Sequence, residues 1–75
     1  GVYGLQRAFK IAGVRYIIMS LWQVPDAATV ELMTRFYTHL LNHHQSVRKS
    51  LLQAQKEMRM DGYDHYQWAG FVLIE

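Results

Sequence analysis

Arg15 to Asp26, RYIIMSLWQVPD, is the stretch that decides the fold. Tyr16, Ile17, Ile18, Met19 and Leu21 form a nearly unbroken apolar run with aromatic and β-branched members. The run is too short for a helix of ordinary length, and so predicts a buried strand. It stops at Ser20-Leu21-Trp22, after which Pro25-Asp26 supplies a helix start: proline presets φ, and aspartate can cap the free N–H groups of the next turn. In open α/β sheets ligands gather outside the carboxyl ends of strands. Ser20, Leu21, Trp22 and Gln23 are therefore the first candidates for a substrate-binding role.

Upstream of that run lies GVYGLQRAFKIAG. Leu5, Ala8, Phe9 and Ala12 fall at i, i+3, i+4 and i+7, a spacing that predicts a helix with Gln6, Arg7 and Lys10 facing away. Gly13 follows the last periodic residue and suits a left-handed C-terminal cap. Downstream, the longest helical pattern runs from Ala27 to about Leu41. Its expected apolar stripe is Val30, Met33, Tyr37, Leu40 and Leu41, widened by Phe36, with Glu31, Thr34, Arg35 and Thr38 on the wetter side. NHHQS then breaks the pattern, and Ser46 is a candidate N-cap for a further helix in which Val47, Leu51, Ala54 and Met58 recur at helical spacing. Asp61-Gly62 closes it. In the tail YDHYQWAGFVLIE a loop is expected to lead into a second buried strand, Ala69 to Ile74.

The expected order is helix, strand, helix, helix, strand, an α/β arrangement. Two apolar strands do not make a self-sufficient sheet, since each wants neighbours beside it and helices on both faces. Those neighbours are expected upstream of Gly1. The last strand can be parallel, through a right-handed crossover, or antiparallel; the sequence leaves both open.

Length and composition narrow the function. Seventy-five residues allow one domain at most, and a 51% hydrophobic content is high for a chain that must also wet its surface. A piece of a larger domain is expected. The net charge is +2, with eight Lys and Arg scattered among six acids, a weak case for nucleic acid. Zero cysteines exclude a disulfide framework, a thiolate metal site and a cysteine nucleophile within these residues. No apolar run approaches the roughly 20 residues of a membrane span. No signal-peptide pattern opens the chain, and a cytoplasmic setting is expected.

Five pieces in register resemble one family. Gly4-Leu5-x-Arg7-Ala8-Phe9 with Ala12-Gly13, Ser20-Leu21-Trp22-x-Val24-x-Asp26-x-Ala28-Thr29, Leu32-Met33-x-x-Phe36-Tyr37 with Leu40-Leu41, Ala54-Gln55, and Trp68-Ala69-x-Phe71-Val72-Leu73-Ile74 look like the C-terminal part of a CHAT domain. The likeness spans nearly all of residues 1–75. It implies a caspase-like three-layer α/β sandwich, in which a His and a Cys at the ends of central strands form a cysteine-peptidase dyad. It also implies company, because such domains often follow helical repeat arrays in bacterial proteins. Both dyad residues precede the matched segment, so the chain resembles a caspase small subunit parted from its catalytic half.

From that resemblance follow the expected roles. Ser20, Leu21, Trp22 and Gln23 form a wall of the cleft, where backbone after the strand pairs with an extended peptide and side-chain pockets give choice. No catalytic residue and no cofactor are expected in this chain. Its partners are the upstream half of the same domain, a peptide or protein substrate, and a second copy through exposed strand edges. The competing class is a non-catalytic module that binds a peptide or partner by strand addition.

Each candidate also has a plainer role. Trp22 is either a subsite wall or a core-edge aromatic stacked on the Ala27 helix. Ser20 has no nearby His and acid to form a triad. His39 and His43 lie one turn apart, but no Asp or Glu completes a metal set within that helix, and solvated imidazoles at a helix C-terminus are the expectation. Tyr66 and Trp68 are read as core packing rather than base-stacking platforms. Lys56 and Arg59 beside Glu57 read as an ordinary wet helix face.

Overall fold

Ala12 and Gly13 both adopt left-handed backbone, with φ of 52° and 84°. In the computed structural model, which describes residues 6–75, they are the two central residues of a tight turn with Ile11 paired opposite Val14. Such a turn matches the right-handed twist of the strands it joins. It links β1 (Gln6–Ile11) to β2 (Val14–Ser20) as an antiparallel hairpin. The first segment is thus a strand, and the helix its spacing predicts is not formed; the part of that expectation resting on Leu5 lies outside the described residues. The reason is a double periodicity. Ala8, Phe9 and Ala12 fit a helical face, but Phe9 and Ile11 also alternate with Ala8 and Lys10 as a strand requires, and the apolar β2 supplies a partner no isolated helix has.

The predicted central strand forms as β2. On its other side β3 (Phe71–Ile74) pairs antiparallel, Ser20 opposite Phe71 and Ile17 opposite Ile74, giving the order β1-β2-β3. The question of the last strand's direction is settled as antiparallel. Alternation puts Ile18, Ser20, Phe71 and Leu73 on one face, where Ile18, Ser20 and Phe71 are buried. Ala8, Ile17, Met19, Val72 and Ile74 share the other face, exposed or half-buried. The chain is a mixed α/β fragment. Of the three layers implied by the resemblance, the described residues build two: the sheet, and helices on one of its faces.

Those helices begin at α1 (Asp26–Tyr37). Pro25, not Asp26, occupies the capping position, and no side chain caps the helix; Thr29 instead sends its N–H and its hydroxyl back to the Pro25 carbonyl. Asp26 sits in the first turn, where its charge favours the helix dipole. The buried face is Ala28, Thr29, Leu32, Met33 and Phe36, while Val30 and Leu41 are more than 60% exposed. The expected stripe is thus rotated: Phe36, placed at its margin, is its fully buried centre. At Thr38–Asn42 the helix widens into a π-helical turn.

α2 (Val47–Met60) runs back antiparallel to α1. Four residues on along α1 is four back along α2, from Arg35–Asp61 to His39–Glu57. Ser46 caps it as expected, its hydroxyl accepting from Lys49 N. Val47, Leu51, Ala54 and Met58 are all buried. At its end Gly62, φ 90°, lets Tyr63 N reach Met58 O and Gly62 N reach Arg59 O, the paired bonds that close a helix through a left-handed residue. A four-residue helix, α3 (His65–Trp68), stands where a loop was expected; Asp64 and Gln67 cap it reciprocally.

Candidate functional site

β2 ends at Ser20, which is buried, and the ladder to β3 runs one residue further through Leu21 N donating to Gly70 O at 2.7 Å. Past this point the chain turns outward. Leu21 is 52% exposed, Trp22 half-buried and Gln23 exposed, before Val24 plunges back into the core. Of the four residues named from the sequence, Leu21, Trp22 and Gln23 form one rim at the carboxyl end of the central strand, whereas Ser20, 2% exposed, faces the core beside Ile18 and Phe71.

The rim is held by α3, which sequence reasoning passed over. Trp22 Nε1 donates to Tyr66 O at 2.8 Å, and the two rings stack with centroids 6.0 Å apart and planes 18° from parallel. Tyr66 donates its phenolic O–H to the Gln23 carbonyl. Trp22 thus touches the core edge, as one expectation held, but its stacking partner is Tyr66 and not α1. Tyr66 is likewise no core residue, at 46% exposed, whereas Trp68 packs on the core and donates to Tyr63 O.

Gly70 completes the seat. A Cβ there would lie 2.6 Å from Trp22 Cε2, inside any van der Waals contact, so the indole lies where only glycine leaves room. Gln55 of α2 fixes the turn that carries Gly70, its Nε2 donating to both Trp68 O and Phe71 O. The pairing of Trp22 with Tyr66 and Gly70, more than forty residues away, leaves no local signal. Only the cluster of aromatics and glycine in YDHYQWAG marks that segment as a place of close approach.

Other polar groups lie elsewhere. His39 Nε2 and Glu57 Oε2 are 2.8 Å apart, Gln53 donates to the same carboxylate, and the His43 ring lies 5.3 Å from His39. Glu57 is therefore part of an interhelix contact rather than of a wet face. His39 Nδ1 is buried without a partner. Among the described residues no group of three or more His, Asp or Glu can hold a metal. Arg35 bridges Glu31 and Asp61, and its pKa is raised, chiefly by the Glu31 bond and then by Asp61, so it stays charged at any accessible pH. A shallow cavity lined by Ala8, Phe9, Lys10 and Arg15 sits at the hairpin, at the opposite end of β2 from the rim. No helix among the described residues is long and apolar enough to cross a membrane.

The chain is 40% identical over 76 residues to human tetratricopeptide repeat protein 28, and 38% identical to the mouse protein of that name. In each case 99% of this chain is covered, but only 3% of the relative. Both relatives are mammalian and not bacterial, and both are named as tetratricopeptide repeat proteins. No solved structure matches the chain. The family model described as "CHAT domain" matches residues 1–75 from end to end, and the chain belongs to that family.

Proposed function

We propose that this chain is the non-nucleophilic, C-terminal portion of a CHAT-type, caspase-like cysteine peptidase domain, forming one wall of its peptide cleft. The observation that carries the reading is the rim Leu21–Gln23. It projects from the carboxyl end of the central strand, with its backbone immobilised by Gly70 and Tyr66. A wall of this kind binds and orients an extended peptide. The thiolate that attacks the peptide carbonyl comes from outside these residues, which hold no cysteine, and the family resemblance puts the histidine that serves it upstream as well.

One observation favours a second reading, a non-catalytic module that captures a peptide or partner by strand addition. Among the described residues, β3 pairs with β2 on one side only and so presents an edge. The two readings part in the longer protein that contains this chain. The peptidase reading expects a His-Gly motif and a strand ending in Ala-Cys upstream, and one thiol that iodoacetamide alkylates with loss of peptide hydrolysis. The module reading expects neither, with peptide binding unaffected by alkylation.

A further inference from the structure

We infer that Tyr66 is a positioning residue of that cleft wall, and that the Trp22–Tyr66 pair makes a subsite for an aromatic or aliphatic peptide side chain while rejecting a carboxylate. The inference rests on the cleft reading above and adds the substrate class.

Donor accounting leads to it. Indole has one N–H and phenol one O–H. Trp22 spends its N–H on Tyr66 O, and Tyr66 spends its O–H on Gln23 O. What the stacked pair still offers outward, through a tyrosine 46% exposed, is ring surface. An aromatic face carries negative charge density, so a carboxylate laid on it finds no donor and an unfavourable field. A phenyl or isobutyl group loses nothing there and gains burial.

The same two bonds give Tyr66 its positioning role. Its carbonyl orients the indole and its hydroxyl orients the Gln23 carbonyl, so one side chain and its own backbone set two consecutive rim residues. Both bonds join segments more than forty residues apart, and both come from a four-residue helix that would have little order without its Asp64–Gln67 cap. Gly70 is the third point of the same seat, admitting the indole from beside the Leu21 bond. α3 therefore belongs to the cleft wall.

The test uses the full-length protein and a positional-scanning library of fluorescein-labelled hexapeptides, each mixture fixing one position, read by fluorescence anisotropy. At one position, mixtures fixed as Phe or Leu are expected to bind on the order of tenfold tighter than those fixed as Asp. Tyr66→Ala should bring that ratio to within about twofold. Tyr66→Phe keeps the rings and loses the bond to Gln23, so it should retain the ratio while weakening every mixture about fivefold. A ratio between mixtures is independent of the folded fraction, which separates this role from a general loss of structure. Equal or tighter binding of Asp mixtures at every position, or an unchanged ratio in Tyr66→Ala, overturns the inference. If no mixture binds the wild-type protein, the cleft reading fails and this inference with it. If binding is lost in Leu21→Arg yet Tyr66→Ala keeps its selectivity, the cleft stands and this inference alone falls.

Discussion

At position 70 a single hydrogen stands where any other residue has a carbon. Since a Cβ would meet the Trp22 ring at 2.6 to 3.0 Å, Gly70→Ala must push a stacked indole off Tyr66. Overpacking of this kind costs about 1–3 kcal/mol, to be read as a lowered denaturant midpoint with an unchanged slope. Ala12 shows the opposite sign. It holds φ at 52°, a conformation that asparagine tolerates and alanine resists, in a turn whose second residue is already glycine. Ala12→Asn should therefore stabilise the hairpin by about 0.5–1 kcal/mol in the same measurement. The two residues also differ in how readable they were. Ala12-Gly13 offered a hairpin signal, two residues between two apolar runs, which a competing helical spacing masked. Gly70 offered only its place in the aromatic cluster YDHYQWAG, because its partner is remote in sequence.

At the scale of the element, α2 was legible and α1 only in part. Ser46 at the start and Gly62 at the end frame α2 with residues whose chemistry suits only those places, and its apolar spacing admits one phase. Along α1 and the π-helical turn that follows it two apolar phases compete, one through Val30 and Leu41 and one through Ala28, Leu32 and Phe36. The sheet selects the second because Phe36 meets Phe9, with ring centroids 5.8 Å apart, while Val30 meets nothing that buries it. Truncation checks this assignment. Phe36→Ala should cost about 3–5 kcal/mol, whereas Val30→Ala should stay within about 0.5 kcal/mol; comparable losses would contradict the observed phase. Ser46→Ala removes the hydroxyl that accepts from Lys49 N and should cost about 1 kcal/mol. α3 escaped the sequence reading because four residues show no periodicity, and only Asp64 and Gln67, three apart, signal its start.

Across the whole molecule, the α/β class and a central strand followed from RYIIMSLWQVPD, because an apolar run that short is best buried as a strand. Which strands flank it did not follow, since pairing partners are chosen by contacts far apart in the chain. The sheet leaves Ala8, Ile17, Met19, Val72 and Ile74 on a face that no described helix covers, and among the described residues its two outer strands carry edges. We propose that the isolated 75-residue chain associates through these surfaces, since exposed edges and apolar faces recruit other chains. Light scattering should show a mass that rises with concentration and falls back toward the monomer in the double variant Val72→Lys, Ile74→Lys. A monomer at every concentration would argue against it.

Contact between peptide and the rim at the end of β2 is what the proposed function requires. It is tested most directly by replacing Leu21 with the photocrosslinker p-benzoylphenylalanine in the full-length protein, and irradiating with the fluorescein-labelled hexapeptide library. Val30, exposed on the outer side of α1, carries the crosslinker as control. Labelling at position 21 well above that at position 30, and suppressed by excess unlabelled library, is the predicted result. Equal labelling at the two positions, or none at 21, would contradict the account.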